Sequence, residues 1–270
     1  MKELLSLEEI RVIQNGMLKK FDEYCAEKGY SYCLWAGTLL GAIRHKGHIP
    51  WDDDVDVVMP RADYERMLLD YEQSPIEGVR LVSYQQTENY YYPFAKITDE
   101  STEMQEGNLD RQDYGVYVDI FPLDTLPSNE KKARRLIKKC RMAFYLLYLN
   151  LQKKKEWTGF RAIANACLLP IAKLTPRKQF SVYMEKQIKK YAEESSDTVT
   201  VLTHSSLARQ SVKLADVFPT QKTEFETLEL SVPKEYDAIL TRLYGDYMQP
   251  PPVEKQVAKH SVNVWRKECK

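Results

Sequence analysis

The sequence predicts an α+β fold in which a sheet core with flanking helices is followed by an additional helical lobe. Two observations carry this. Short strand-like runs alternate with helical spacing through the first half, and from Glu130 to about Glu194 the pattern is helical almost throughout. A 270-residue chain that is 43% hydrophobic, with only 10 Gly and 13 Pro, is neither collagenous nor largely disordered and can bury a substantial core.

The elements follow in order. Ser6 and Glu9 form a capping-box pattern, and Ile10, Ile13, Met17, Phe21 and Tyr24 recur at helical spacing until Gly29 stops them. Residues 30–35 are short and aromatic between Gly29 and Gly37, as a strand should be. Thr38 can cap a short helix to about Arg44, and Gly47 and Pro50 then impose a loop. A strand from Val55 to Met59 ends at Pro60, and Tyr64, Met67, Leu68 and Tyr71 mark one face of the next helix. Strand-like runs Val79–Tyr84, Phe94–Thr98 and Tyr114–Phe121 precede the helical stretch, which has breaks predicted at Thr158-Gly159, Pro170 and Pro176. A last strand-like piece, a helix from Lys234 to Tyr244 and a Pro250-Pro251-Pro252 tail complete the pattern, which contains no internal repeat. The expected units are 1–128, 129–194 and 195–270.

Lys plus Arg and Asp plus Glu each number 39, so the formal charge is zero, which argues against a nucleic-acid-coating protein. The total conceals a split. Residues 50–126 hold 18 acids and 5 bases, a balance of −13, whereas residues 129–161, including Lys131, Lys132, Arg134, Arg135 and Lys153–Lys155, hold 11 bases and 2 acids, a balance of +9. The acidic start and the lack of a long apolar run point to a cytoplasmic protein. Five cysteines (25, 33, 140, 167, 269) without CxxC spacing read as free buried thiols.

The chemistry concentrates in Trp35-Ala36-Gly37-Thr38-Leu39-Leu40-Gly41 and Trp51-Asp52-Asp53-Asp54-Val55-Asp56-Val57. Side chains two apart on a strand share a face, so Asp54 and Asp56 project together while Val55, Val57 and Met59 enter the core. Carboxylates this close repel unless a cation lies between them, and hard oxygen donors suit Mg²⁺ or Mn²⁺. A glycine at a strand-to-helix turn lets a ligand approach the backbone, and the helix N-terminus offers N–H groups to phosphate, so Gly37 and Thr38 supply the complementary half. A third acid from a further strand would complete the clamp. Asp119 is chosen over Asp124, which lies beyond Pro122 in an expected turn. Arg44 is the preferred phosphate contact in a loop whose His45 and His48 lack other zinc ligands at suitable spacing. Lys96 reads either as a snorkelling surface lysine or as a phosphate ligand. These residues describe metal-assisted phosphoryl transfer.

At these residues the sequence resembles a known family. Gly37 to His45 and Gly47 to Asp56, with Phe94-Ala95-Lys96, Val118 to Asp124 and Tyr244-Gly245-Asp246-Tyr247-Met248, resemble the LicD-type phosphocholine transferases, relatives of the fukutin-type ribitol-phosphate transferases. His48 departs from a pattern that often has an aromatic residue there. The resemblance implies a nucleotidyltransferase-like mixed-sheet core in which Asp54, Asp56 and Asp119 bind metal. It also implies CDP-choline as donor, and as acceptor a sugar hydroxyl of a lipid-linked glycan such as a teichoic acid or lipopolysaccharide precursor, with release of CMP.

On that reading Asp54 and Asp56 hold Mg²⁺ on the donor diphosphate, and Asp119 coordinates or deprotonates the acceptor hydroxyl. Trp51 and Tyr91, within or near aromatic runs, are candidates for a cage around a quaternary ammonium, and Asp52 for support of the metal-binding acids. The basic segment mixes Lys and Arg with Phe144, Tyr145, Leu146, Leu147, Tyr148 and Leu149, and the next stretch adds Ala166, Leu168, Leu169 and Ile171. It suits contact with an anionic membrane at its inner face, a grip on a polyanionic acceptor, or an ordinary amphipathic helix packed on the core. Competing activities are a nucleotidyltransferase, an Asp-x-Asp glycosyltransferase, and a non-catalytic choline- or polymer-binding module.

Overall fold

The computed structural model describes residues 4–107, 109–110, 114–153, 157–204, 206–209, 211–257 and 262–267; Lys154, Lys155 and Cys269 lie outside them. The capping box forms as the sequence requires. The Ser6 hydroxyl accepts the Glu9 N–H at 3.3 Å, the Glu9 carboxylate accepts the Ser6 N–H at 2.8 Å, and α1 (Leu7–Lys28) ends at Gly29 with φ 68°. After β1 (Cys33–Leu34) come α2 (Ala36–His45), β2 (Asp56–Pro60), α3 (Arg61–Asp70), β3 (Val79–Val82), β4 (Ala95–Asp99), β5 (Thr102–Glu106) and β6 (Tyr117–Pro127). Three helices follow, α4 (Glu130–Leu151), α5 (Gly159–Leu174) and α6 (Arg177–Lys189), and then β7 (Ser195–Thr200) and β8 (Val212–Lys213). The chain continues through α7 (Leu214–Val217), β9 (Gln221–Phe225), β10 (Leu228–Val232), α8 (Tyr236–Tyr244) and β11 (Val262–Arg266).

The main sheet runs β1-β2-β6-β4-β3, with β7 added to β6 and β8 to β7. It is mixed: β2 and β6 are parallel, and the other pairs are antiparallel. Its central strands are mostly apolar, with Val57, Val58, Met59, Ile97, Val118 and Ile120 at 0% exposure, and α1 packs on them, its Leu18 and Phe21 also at 0%. The α+β architecture is therefore the expected one, with a helical segment after β6.

Several local expectations are corrected. The strand expected over 30–35 shrinks to Cys33–Leu34. Thr38 is not a cap: α2 begins at Ala36 after Trp35, and the Thr38 hydroxyl instead accepts the Asp56 N–H at 2.8 Å, tying the helix to β2. Pro170 does not break α5. Pro122 does not end β6, because β6 changes neighbours there: its last partner on β4 pairs at Ile120, and β7 pairs only from Asp124. A residue without an N–H is tolerated at that gap. Asp124 consequently lies in a strand rather than a turn, 1% exposed and bridged to Arg61 at 2.7 Å. Cys25, Cys33 and Cys140 are free and buried as expected, but the free Cys167 is exposed.

Leu136, Cys140, Ala143, Leu147 and Leu151 recur at helical spacing and are all buried. α4 is thus a core helix with a basic outer face.

Candidate active site

The acidic loop is held from behind by α1. Arg11 donates to the carbonyls of Ile49 at 2.8 Å and Asp52 at 3.1 Å, and Gln14 donates to that of Asp53 at 3.2 Å. Neither residue carries a motif, so the sequence alone gave no sign of this support. Asp54 then leads into β2, and Asp56 occupies its first position opposite Asp119 in the parallel pair. On the other side of β6, Asp119 is the antiparallel partner of Lys96. One transverse row of the sheet therefore reads Lys96, Asp119, Asp56, and cross-strand partners present side chains to the same face.

That face opens into a cavity of about 820 Å³, within the size range of small-molecule sites. Asp54, Asp56, Asp119, Lys96, Ala36 and Gly37 line it. So do aromatic side chains, Tyr92 and Phe94 before β4 and Phe144, Tyr145 and Tyr148 from α4, together with His204. Tyr92 and Phe94 stack at 5.2 Å, and His204 meets the Phe144 ring edge-on at 4.9 Å. Tyr244 at the end of α8 also lines the cavity. Burial pushes its hydroxyl pKa up, with the charges of Asp56, Asp52 and Asp54 adding to the effect.

The electrostatics of the row are unfavourable in the absence of a cation. Removal from solvent drives the Asp56 carboxyl well above the ordinary range, and Asp54, Asp119 and Asp52 raise it further. Burial likewise pushes Asp119 up to about 6, against the pull of Lys96. Lys96 is 2% exposed and ion-paired to Asp119, with its ammonium 3.3 Å from the centre of the Tyr117 ring and 5.2 Å from that of Tyr114. The expectation of a snorkelling surface lysine is corrected: Lys96 faces inward, and its first partner is a carboxylate.

Gly37 is needed for proximity, since a Cβ there would meet a carboxylate oxygen of Asp52 at 2.5 Å. The left-handed residue of the turn is its neighbour, Ala36, with φ 48°. Trp35 makes no side-chain capping bond to α2, so the first turn of the helix is not capped by the residue that precedes it.

The other expected residues are placed elsewhere. Arg44 bonds His45 at 2.9 Å and the Tyr247 carbonyl at 2.8 Å, and it does not line the cavity. Trp51 lies against His45, and Tyr91 lies beneath the Arg177 guanidinium, so neither contributes to the aromatic wall. Tyr92, one residue on, does. Asp52 is buried behind Gly37, and its carboxylate, with those of Asp53 and Asp54, forms a cluster within 4.8 Å. Two acidic groupings thus share Asp54. The set Asp54, Asp56 and Asp119 is the one that faces the cavity, where a substrate phosphate can reach a cation.

Residues 29–150 match the LicD/FKTN/FKRP nucleotidyltransferase-domain family. Over 258 residues, 95% of this chain and 96% of the relative, the sequence is 30% identical to the lipopolysaccharide cholinephosphotransferase LicD of Haemophilus influenzae. An uncharacterised protein of Rickettsia prowazekii is 37% identical over 60 residues, 21% of this chain and 23% of that protein.

Proposed function

Because the chain belongs to the LicD family, we propose that it is a Mg²⁺-dependent transferase. It moves phosphocholine from CDP-choline to a sugar hydroxyl of a lipid-linked lipopolysaccharide or teichoic acid precursor and releases CMP. The observation that carries this reading is one cavity lined both by three carboxylates beside a helix N-terminus and by a set of aromatic rings. The first suits a diphosphate with its cation, and the second a quaternary ammonium, which aromatic faces bind with about 0.5–2 kcal/mol per contact.

The donor set fits Mg²⁺, or Mn²⁺ in its place: Asp54, Asp56 and Asp119 offer hard oxygens, and their mutual repulsion is what a divalent ion relieves. Bound there, Mg²⁺ would neutralise charge on the donor diphosphate. The backbone N–H groups at the start of α2, beside Gly37, are assigned to the phosphate oxygens. The acceptor oxygen attacks the choline-bearing phosphorus, the bond to the CMP oxygen breaks, and Asp119 takes the hydroxyl proton. Lys96 positions that carboxylate.

Among the described residues no helix is long and apolar enough to cross a membrane. With the free thiols, this supports our placement of the protein on the cytoplasmic side, where CDP-choline is available, at the inner face of the membrane. The test is incubation with Mg²⁺ and choline-labelled CDP-choline, with and without lipid-linked glycan precursors, following CMP and labelled glycan. Acceptor-dependent CMP with label in the glycan supports the reading. Pyrophosphate from a nucleoside triphosphate donor would instead indicate nucleotidyl transfer, and no turnover with any donor would leave only a binding module.

A further inference from the structure

Helix α5 presents an outer face that the reaction above does not use. Its 16 residues include no Asp or Glu. Asn165, Leu168, Leu169 and Ala172 form one stripe at helical spacing and turn inward. The opposite stripe should then be polar. It is apolar instead: Ile163 is 65% exposed, Ile171 56% and Leu174 84%, with exposed Cys167 and Pro170 between them. This is a helix apolar on both faces with only one face covered.

The surrounding charge indicates what covers the other. Residues 129–190 contain 17 Lys or Arg and 3 Asp or Glu, a balance of 17 − 3 = +14 in a chain whose total is zero. A second copy of the same face would bring two strongly basic lobes together, whereas an anionic surface is attracted to it. At about 1.5 Å per residue the helix is roughly 24 Å long, shorter than the roughly 30 Å hydrocarbon core it would have to cross. An apolar face amid basic charge on a helix of this length matches an element lying in the plane of the lipid interface.

We propose that α5 is the membrane-seating element of the protein, with Ile163, Ile171 and Leu174 at the headgroup–acyl boundary of an anionic bilayer and the basic lobe over its headgroups. α5 is one helix away from the reaction cavity. Buried Asn165 accepts the hydroxyl of Tyr145, and Tyr145 lines the cavity. Seating α5 would therefore bring the cavity wall close to a lipid-borne acceptor. The docking itself is independent of donor and of chemistry.

The test uses the full chain without substrates. Sedimentation with equimolar phosphatidylglycerol–phosphatidylcholine vesicles, at about 0.1 M salt, is compared with sedimentation on pure phosphatidylcholine. Anionic vesicles should bind at least about tenfold more tightly, and the triple variant Ile163→Glu, Ile171→Glu, Leu174→Glu should lose about tenfold or more. As a second measurement in case the triple variant folds poorly, an environment-sensitive dye on Cys167, in a Cys269→Ser background, should shift to the blue only with anionic vesicles. Absence of binding, undiminished binding by a folded triple variant, or an unshifted dye overturns the proposal. So does a lipid-free dimer that the triple variant abolishes, because the face would then belong to a second copy.

Discussion

Asp56→Asn separates the electrostatic cost of the site from its chemistry. Asp56 and Asp119 are partners on adjacent parallel strands, which run about 4.8 Å apart. Two charges roughly 5 Å apart at an effective dielectric near 20 repel by about 3 kcal/mol. Lys96 offsets part of this through Asp119, while Asp54 and Asp52 add to it at Asp56. An acid whose folded pKa lies above its unfolded value opposes folding when ionised, and the cost grows as pH rises through the folded pKa. An amide carries no such cost. In EDTA at pH 8 the variant should therefore be more stable than the wild type by about 1–3 kcal/mol, and the gap should close as pH falls toward the ordinary carboxylate range near 4. Urea denaturation followed by tryptophan fluorescence measures both. Mg²⁺ should stabilise the wild type, by about 2.7 kcal/mol at a hundredfold excess over its Kd, and the variant far less. CMP formation should fall by about two to three orders of magnitude. A variant less stable than wild type in EDTA at pH 8, or a gap that widens on acidification, would refute the reasoning.

Three further outcomes follow from the same geometry. Lys96→Met strands a buried carboxylate, so it should cost about 3–5 kcal/mol of stability and, because the Lys96 ammonium pulls the Asp119 carboxyl down, move the acid limb of the kcat/KM profile upward; a profile unchanged in shape would show that Lys96 does not act through Asp119. His48, held down to about 4 by burial and by Arg11, stays neutral while its unfolded counterpart, near 6.5, takes up a proton. Stability should therefore drain away between about pH 6.5 and 4 by up to about 3 kcal/mol, and His48→Phe should lack that loss in pH-dependent melts. Tyr148→Leu should raise the KM for CDP-choline by about threefold to thirtyfold. It should also erase discrimination against the uncharged donor analogue with carbon in place of the quaternary nitrogen; a variant that still discriminates places the ammonium elsewhere.

The acids of the β2 region were legible because their signal is local. Strand parity singles out Asp54 and Asp56, of which Asp56 opens β2 while Asp54 lies in the loop just before it, and Gly37 needs only adjacency to a helix start. Residues fixed by register were not legible in this way. Nothing within the local sequence of Lys96 tells that Asp119, 23 residues later, will be its cross-strand partner, so its two readings could not be separated. Tyr145 and Tyr148 were hidden for a different reason: on a helix dense in Lys and Arg, aromatic residues at helical spacing read as core or as membrane contact, and only the packing of α4 turns them toward the cavity. Tyr91 and Tyr92 show the converse, since a run of three tyrosines does not say which one a loop will direct inward.

Asp124 shows how much depended on one proline. Setting it aside as a turn residue separated it from Asp119 for the wrong reason, because β6 runs straight through Pro122. Parity gives the right one. Residues five apart on a strand point to opposite faces, so Asp119 joins Asp56 at the cavity while Asp124 faces the Arg61 guanidinium, which also reaches Glu185 of α6 at 3.6 Å. Burial pushes both acids up to about 6 against a basic partner, so their titration alone does not distinguish them. Their surroundings do: one borders open space beside two further acids, and the other lies in a closed ion pair that fastens the basic lobe to the sheet. Glu185 is one of only three acids in residues 129–190, and it is engaged in that inward contact.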